Sequence, residues 1–249
     1  MIIAVTNNKG GVSKTTLTVN AGAALAQLGK RVLIVDLDAQ RSAGLSLGVD
    51  RDATPTTADV LLNRIPIEDT IQATGAGVDI APGSFALAHA DVSLADVQGR
   101  EKILRAALSS VRRKYDFILI DTPPSLGLVV VNAIAAADAV LVPLVPHYLV
   151  LEGLSNLLEA LEKIRAGIGG GELLGIVLSM CDYRQAVTRE VVDAVRGHFK
   201  RKVFDTEIRV NVRLVEAPSF HAPVTTYAAR STGAENYMNL AREIIQRTK

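Results

Sequence analysis

Short, almost wholly apolar runs recur along the chain, with longer stretches of helical spacing between them. IIAVT (2–6), RVLIVD (31–36), VDIAPG (78–83), FILIDT (117–122), AVLVPL (139–144), LLGIVLSM (173–180) and KVFDTEI (202–208) read as strands. Most lack the alternation of a strand with one wet face. Continuous apolar runs are what a strand needs when helices cover both sides of its sheet. Between the first two runs, KTTLTVNAGAALAQLG spaces its apolar residues for a helix, and Gly29 supplies the stop. The βαβα order predicts an α/β fold, a mostly parallel doubly wound sheet with helices on both faces.

The longest apolar stretch, VVVNAIAAADAVLVPLVP (129–146), raises the question of a membrane span. Asn132, Asp138 and two prolines interrupt it, so it reads as a helix followed by a buried strand. Residues 50–77 read as a helix-and-loop excursion before the third strand, and GIGGG (167–171) as a flexible connection. Neither has the length of a domain boundary, so residues 1–249 are expected to form a single domain.

Composition adds limits. Apolar residues make up 49% and charged residues 21%, a globular balance that leaves ample material for a core. Cys181 is the single cysteine, which excludes an internal disulfide and a CxxC metal site within one chain, and points to reducing cytoplasm. The opening MIIAV is too short for the apolar region of a secretory signal. The net charge of +1 says nothing of partners, but residues 184–213 carry +4 and the remainder −3. A locally basic face fits nucleic acid, although solvated helices commonly carry such charge too.

The chemistry concentrates in KGGVSKTT (9–16), which follows an apolar strand and opens a helix. Glycines let backbone N–H groups approach phosphate oxygens, and the helix N-terminus adds a favourable dipole. Gly10, Gly11, Val12, Ser13, Lys14, Thr15 and Thr16 are therefore the candidate nucleotide-binding residues. Lys14 is expected on the β and γ phosphates and Thr15 on Mg²⁺. Asp121 ends an apolar strand, placed to hold Mg²⁺ through a water. Asp36 and Asp38 end another at i, i+2 spacing, which on a regular strand puts both carboxylates on one face. One of them would position the attacking water, and Asp38 is a further candidate metal ligand.

KGGVSKTT, RVLIVDLDAQ and FILIDTPPSLG resemble the deviant Walker A, switch I and Walker B motifs of the ParA/MinD family of partitioning ATPases. The ending NVRLVEAPSFHAPVTTYAARSTGAENYMNLAREI resembles the short, chromosomal-type (Soj) members, so the likeness spans nearly the whole chain. It implies a P-loop NTPase fold, ATP, Mg²⁺ and a homodimer formed in the ATP state. Lys9 matches the signature lysine that reaches the partner subunit's nucleotide, so the catalytic set implied is Lys9, Lys14, Asp38 and the preceding switch carboxylate Asp36. Two facing triphosphates repel, and a cation donated in trans offsets that repulsion only when both sites are filled. Ser13 stands where most members have Gly and is expected to crowd the loop slightly. Asn211 matches the family's adenine-pocket asparagine, while Arg209 replaces its proline. The resemblance also implies nonspecific double-stranded DNA binding, a ParB-like centromere-binding partner that stimulates hydrolysis, and a nucleoid-associated protein. Arg184 and Arg213 match family DNA-binding arginines; Arg189, Arg196, Lys200, Arg201 and Lys202 are weaker candidates, chosen for charge and proximity. No evident arginine finger is present, so slow basal turnover is implied. A MinD-like membrane-associated regulator is the alternative, yet YMNLAREIIQRTK reads as the domain's last helix and no stable membrane association is expected. A ParA-like protein positioning another cargo differs only in the partner. An iron–sulfur role fails on the lone cysteine.

Overall fold

The computed structural model describes residues 1–148 and 150–249. Its strands are β1 (Ile2–Val5), β2 (Val32–Asp36), β3 (Gln72–Ala73), β4 (Asp79–Ala81), β5 (Phe117–Asp121), β6 (Ala139–Leu144) and β7 (Glu172–Leu178). They form one sheet in the order β3-β4-β2-β5-β1-β6-β7, parallel throughout except for the β3–β4 hairpin. β1 sits centrally between β5 and β6. Its register aligns Val5 with Asp121, and β2 aligns Asp36 with Asp121. The carboxyl ends of three buried strands thereby meet at one edge, where doubly wound sheets bind ligands.

Both faces are covered, as the continuous apolar runs require. Ile3 and Val5 pack with Leu17, Leu25, Tyr237, Leu240 and Ile244 under helices Lys14–Gln27 and Thr232–Arg247. Their strand neighbours Ile2 and Ala4 face the other way, against Leu61, Leu104 and Ala133. Each fully buried Leu or Ile contributes about 1.5–3 kcal/mol. Helix Lys14–Gln27 lies close to the sheet at Gly22, where a Cβ would stand 3.1 Å from Ile34 Cδ1. The 129–146 stretch divides as expected into helix Leu128–Ala136 and β6. No helix among the described residues is long and apolar enough to cross a membrane.

The expected strand over 202–208 does not form. Val203 and Arg209 make only isolated bridges, to Ile176 and Cys181. The backbone between them meets β7 through the Phe204 and Ile208 N–H groups, which donate to the Ile176 and Leu178 carbonyls at 2.8 Å, and side chains hold the stretch in between. The Arg196 guanidinium donates to the carbonyls of Phe204 and Asp205, at 3.1 and 3.2 Å. Glu243 accepts from the N–H groups of Asp205 and Thr206, both at 2.9 Å. With these groups satisfied, the segment has no need of a ladder. The seventh strand is β3, two residues in the 50–77 excursion with no apolar run to announce them.

Candidate functional site

The loop between β1 and helix Lys14–Gln27 is pinned at its start. Asn7 donates to the Pro143 carbonyl at 2.8 Å, tying the loop to β6, and accepts from the Lys9 N–H at 3.0 Å. Gly11 (φ 71°) and Ser13 (φ 67°) are left-handed. Glycine adopts that backbone freely, whereas a serine there costs about 1–2 kcal/mol. The consequence of Ser13 standing in for glycine is therefore conformational. Lys14 is buried, and its Nζ donates to the Lys9 carbonyl at 3.0 Å. Burial pulls its pKa below the ordinary lysine value, partly offset by Asp121 and Asp38.

Across from the loop, the Thr15 hydroxyl donates to Asp121 Oδ2 at 2.7 Å. Thr18, one turn later, lies 3.3 Å from Asp121 Oδ1 and 3.0 Å from the Lys14 carbonyl. Asp121 and Asp36 are wholly buried neighbours. Burial is the first cause that raises both carboxyls; the Asp36 charge adds to it for Asp121, and the Asp38 charge for Asp36. Asp36 is pushed up to about 6, and Asp121 well above the usual carboxylate range.

The two switch carboxylates do not share a face as their spacing suggested. β2 ends at Asp36, so strand alternation stops before Asp38. Asp36 turns inward and braces the loop, accepting from the N–H groups of Asp38 at 3.0 Å and Gly44 at 3.1 Å. Thr57 Oγ1 donates to the Asp36 carbonyl at 2.6 Å, a further brace. Asp38 is partly exposed and lines a cavity of about 830 Å³.

That cavity takes in Gly10 to Thr16 on one side and Met180, Arg209 and Asn211 on the other. Asn211 caps helix Val212–Glu216 through the Arg213 N–H at 2.9 Å and donates to Thr232 at 2.8 Å. The Arg209 guanidinium lies over the Tyr183 ring at 5.6 Å. Among the described residues lining the cavity, Lys9 is absent. Its Cε and Nζ lie on helix Val150–Ile168, each 3.3 Å from where a Cβ on Gly153 would stand. The two lysines of the loop thus point to different places.

The basic candidates do not form one cluster. Arg184 is exposed and paired with Asp182 at 2.8 Å, and Arg213 is paired with Glu216 at 2.8 Å. Arg189, Lys200, Arg201 and Lys202 are exposed, but helix Ala186–Phe199 separates Arg184 from Lys200 by about 20 Å. Arg196 is drawn in by Glu207 at 2.9 Å and by the two carbonyls it holds, so its role in the structure is to anchor the 203–207 segment.

Several site residues went unread in the sequence. Thr18 carries a signal in hindsight, at i+3 from Thr15 on one helix face. Asn20 reaches a segment over two hundred residues away, accepting from the Val224 N–H at 2.7 Å, and Arg51 and His221 also line the cavity. No local pattern marks these.

A left-handed loop at the carboxyl edge of a parallel sheet, a buried lysine within it and a threonine–carboxylate pair beside a nucleotide-sized cavity define a P-loop nucleotide-binding protein. The second lysine, turned away from its own cavity, marks the deviant Walker A kind. The comparisons with known proteins agree. The family model described as "AAA domain" matches residues 1–169. The sporulation initiation inhibitor protein Soj of Bacillus subtilis is 43% identical over 98% of this chain and 97% of its own length. The chromosome partitioning protein ParA of Myxococcus xanthus is 43% identical over 99% of this chain and 88% of its own. Cobyrinic acid a,c-diamide synthase of Mycobacterium smegmatis, solved with an ATP analogue and magnesium, superposes with a TM-score of 0.87 at 30% identity, over 99% of this chain and 95% of that one. The chain belongs to the ParA/MinD family of deviant Walker A ATPases and is related along its whole length to the Soj and ParA partitioning proteins.

Proposed function

We propose that this chain is an ATP-hydrolysing dimeric switch that binds nonspecific double-stranded DNA in its ATP state and partitions chromosomal or plasmid DNA with a ParB-like partner. The observation that carries the reading is the direction of Lys9. A lysine fixed in the phosphate loop yet lying outside its own cavity is suited to a phosphate on a second copy. The full-length relation to Soj and ParA supports the cargo class.

The residues fit the groups this requires. Lys14 is satisfied by a loop carbonyl that phosphate oxygens can replace, and the Gly11 and Ser13 conformations expose backbone N–H groups to them. The Thr15 hydroxyl beside a buried carboxylate that has only hydroxyl partners suits Mg²⁺, which characteristically combines few protein oxygens with phosphates and water. Thr15, and Asp121 through a water, would hold the ion, which when bound neutralises phosphate charge.

Within the chain, Lys14 draws charge from the β and γ phosphates. Asp38, at the cavity with a partly exposed carboxylate, orients the attacking water and takes its proton as the γ phosphoryl departs to give ADP and phosphate. Asp36 holds Asp38's backbone for that task. Lys9 offsets the partner's phosphates, so the dimer is stable only while ATP is intact. Arg184 and Arg213, exposed and held by single carboxylates, are the arginines offered to DNA, with Arg189, Lys200, Arg201 and Lys202 as weaker contributors.

The decisive experiment is DNA retention by the purified chain with ATP, ADP or no nucleotide across a salt series. ATP-specific binding that falls steeply with salt is expected; binding indifferent to nucleotide refutes the reading. ATP-specific binding to vesicles would indicate the MinD-like alternative. Against that alternative, the apolar face of helix Thr232–Arg247 is already buried at Tyr237, Leu240, Ala241 and Ile244. Which cargo is moved is read by the partner, and an adjacent centromere-binding protein gene would favour DNA.

A further inference from the structure

His221 lies at the rim of the cavity in a left-handed conformation, φ 52°. Non-glycine residues take that backbone uncommonly, with Asn, Asp and His the enriched exceptions. Here the imidazole Nδ1 lies 2.9 Å from the Leu45 carbonyl, so the ring donates across 176 residues of sequence. The two segments also touch at Gly48, where a Cβ would stand 3.3 Å from His221 Cβ.

Leu45 belongs to helix Ser42–Ser46, whose Gly44 N–H is bonded to Asp36, the same carboxylate that holds the Asp38 N–H. On the other side, Phe220 stacks on Tyr227 with ring centroids 4.8 Å apart. The Tyr227 hydroxyl donates to Glu216 Oε2 at 3.1 Å, and Arg213 donates to that same oxygen at 2.8 Å. Asn211, which caps the helix bearing Arg213, itself lines the cavity. A continuous path of bonded and stacked groups therefore runs from the hydrolytic loop to a candidate DNA arginine, and the His221–Leu45 hydrogen bond joins its two walls.

We propose that His221 is a positioning residue that clasps the switch segment behind Asp38 to the segment bearing Arg213, so that nucleotide state is passed to the DNA face. The inference rests on the DNA-binding reading above. It requires that movement of the Asp38 loop drag helix Ser42–Ser46, and that His221 transmit this to the 212–221 segment rather than merely fill the cavity rim.

Two substitutions test it. His221→Gly removes the ring and relaxes the left-handed backbone, and that relief offsets the lost hydrogen bond, so the fold is expected to melt close to the wild-type temperature. His221→Asn keeps both a tolerated left-handed backbone and a side-chain N–H donor. ATP affinity, read by nucleotide titration, and DNA affinity in ATP against ADP, read by filter retention, are measured for all three chains. In His221→Gly the ATP-to-ADP ratio of DNA affinity should fall about fivefold, the effect of one lost hydrogen bond, and by more than any change in ATP affinity. His221→Asn should retain most of the ratio. A wild-type ratio in His221→Gly overturns the inference alone. So does a loss of ATP affinity in equal proportion to DNA affinity, since the ring then serves only the cavity. Absence of any ATP dependence in the wild-type chain overturns the function reading and this inference with it.

Discussion

Replacing Asp121 with Asn removes a charge that the folded chain buries completely beside another carboxylate. The cost of burial at this place is visible in Asp36, whose carboxyl is raised from 3.8 to about 6, first by burial and further by the Asp38 charge. Both causes act against the ionised form in the folded chain. Asp121 is raised in the same direction, with Asp36 as its second cause. The folded state holds these protons more tightly than the unfolded chain does. Stability without ligand is therefore greatest below pH 3.8 as far as these groups are concerned, and is lost as pH rises through about 6. Asparagine keeps an oxygen for one of Thr15 and Thr18, and its amide can donate to the other hydroxyl. The variant should gain about 1–3 kcal/mol at pH 8 in the absence of nucleotide and metal, or several degrees in melting temperature for a chain of this size. The gain should shrink at pH 5. Denaturant unfolding in a chelator at both pH values reads it directly. The same variant should lose the stabilisation that Mg²⁺ and ATP give the wild type. An Asp121→Asn chain less stable than wild type at pH 8, or one with the same pH slope, refutes the account of a strained carboxylate pair kept for the cation.

Five more substitutions separate the roles of the site and of its support. Lys14→Ala should abolish nucleotide-dependent dimerisation and DNA binding together, seen by light scattering and gel shift. Lys9→Ala should bind ATP within a few fold of wild type yet stay monomeric with it; loss of ATP affinity itself would place Lys9 in its own site. Asp38→Ala should bind ATP and accumulate as a DNA-bound dimer with turnover reduced at least about a hundredfold, the low end for a general base. Normal hydrolysis by that variant would remove Asp38 from the role. Arg213→Glu should weaken DNA binding and flatten its salt dependence while ATP affinity is unchanged, whereas Arg196→Ala should cost about 1–3 kcal/mol of stability, since it takes the guanidinium donor from the Phe204 and Asp205 carbonyls and from Glu207 Oε1.

Which of these features could be read from the sequence follows from how local their causes are. KGGVSKTT was legible because its chemistry is contained in eight adjacent residues, and the sheet was legible because strands buried on both faces must be apolar throughout. The carboxylates were legible as strand-end residues, but their division of labour was not. It depends on β2 stopping at Asp36, which is decided by the turn that Asp36 itself braces through Asp38 and Gly44. The 202–208 run failed for a related reason. Its residues suit a strand, yet between its two backbone bonds to β7 the partners are side chains on two helices, Arg196 and Glu243, the latter 37 and 38 residues away from the groups it holds. Lys9 shows the limit most clearly. Its place in the loop is local, but its direction is set by a gap at Gly153 on another helix, a residue that by itself reads only as a poor helix former. A side chain at that position would press on the lysine at 3.3 Å, so Gly153→Ala should shift Lys9 without touching the phosphate loop. If dimerisation with ATP then changes while ATP affinity does not, the resting place of Lys9 is part of the switch; if neither changes, the lysine's flexible end has simply moved aside.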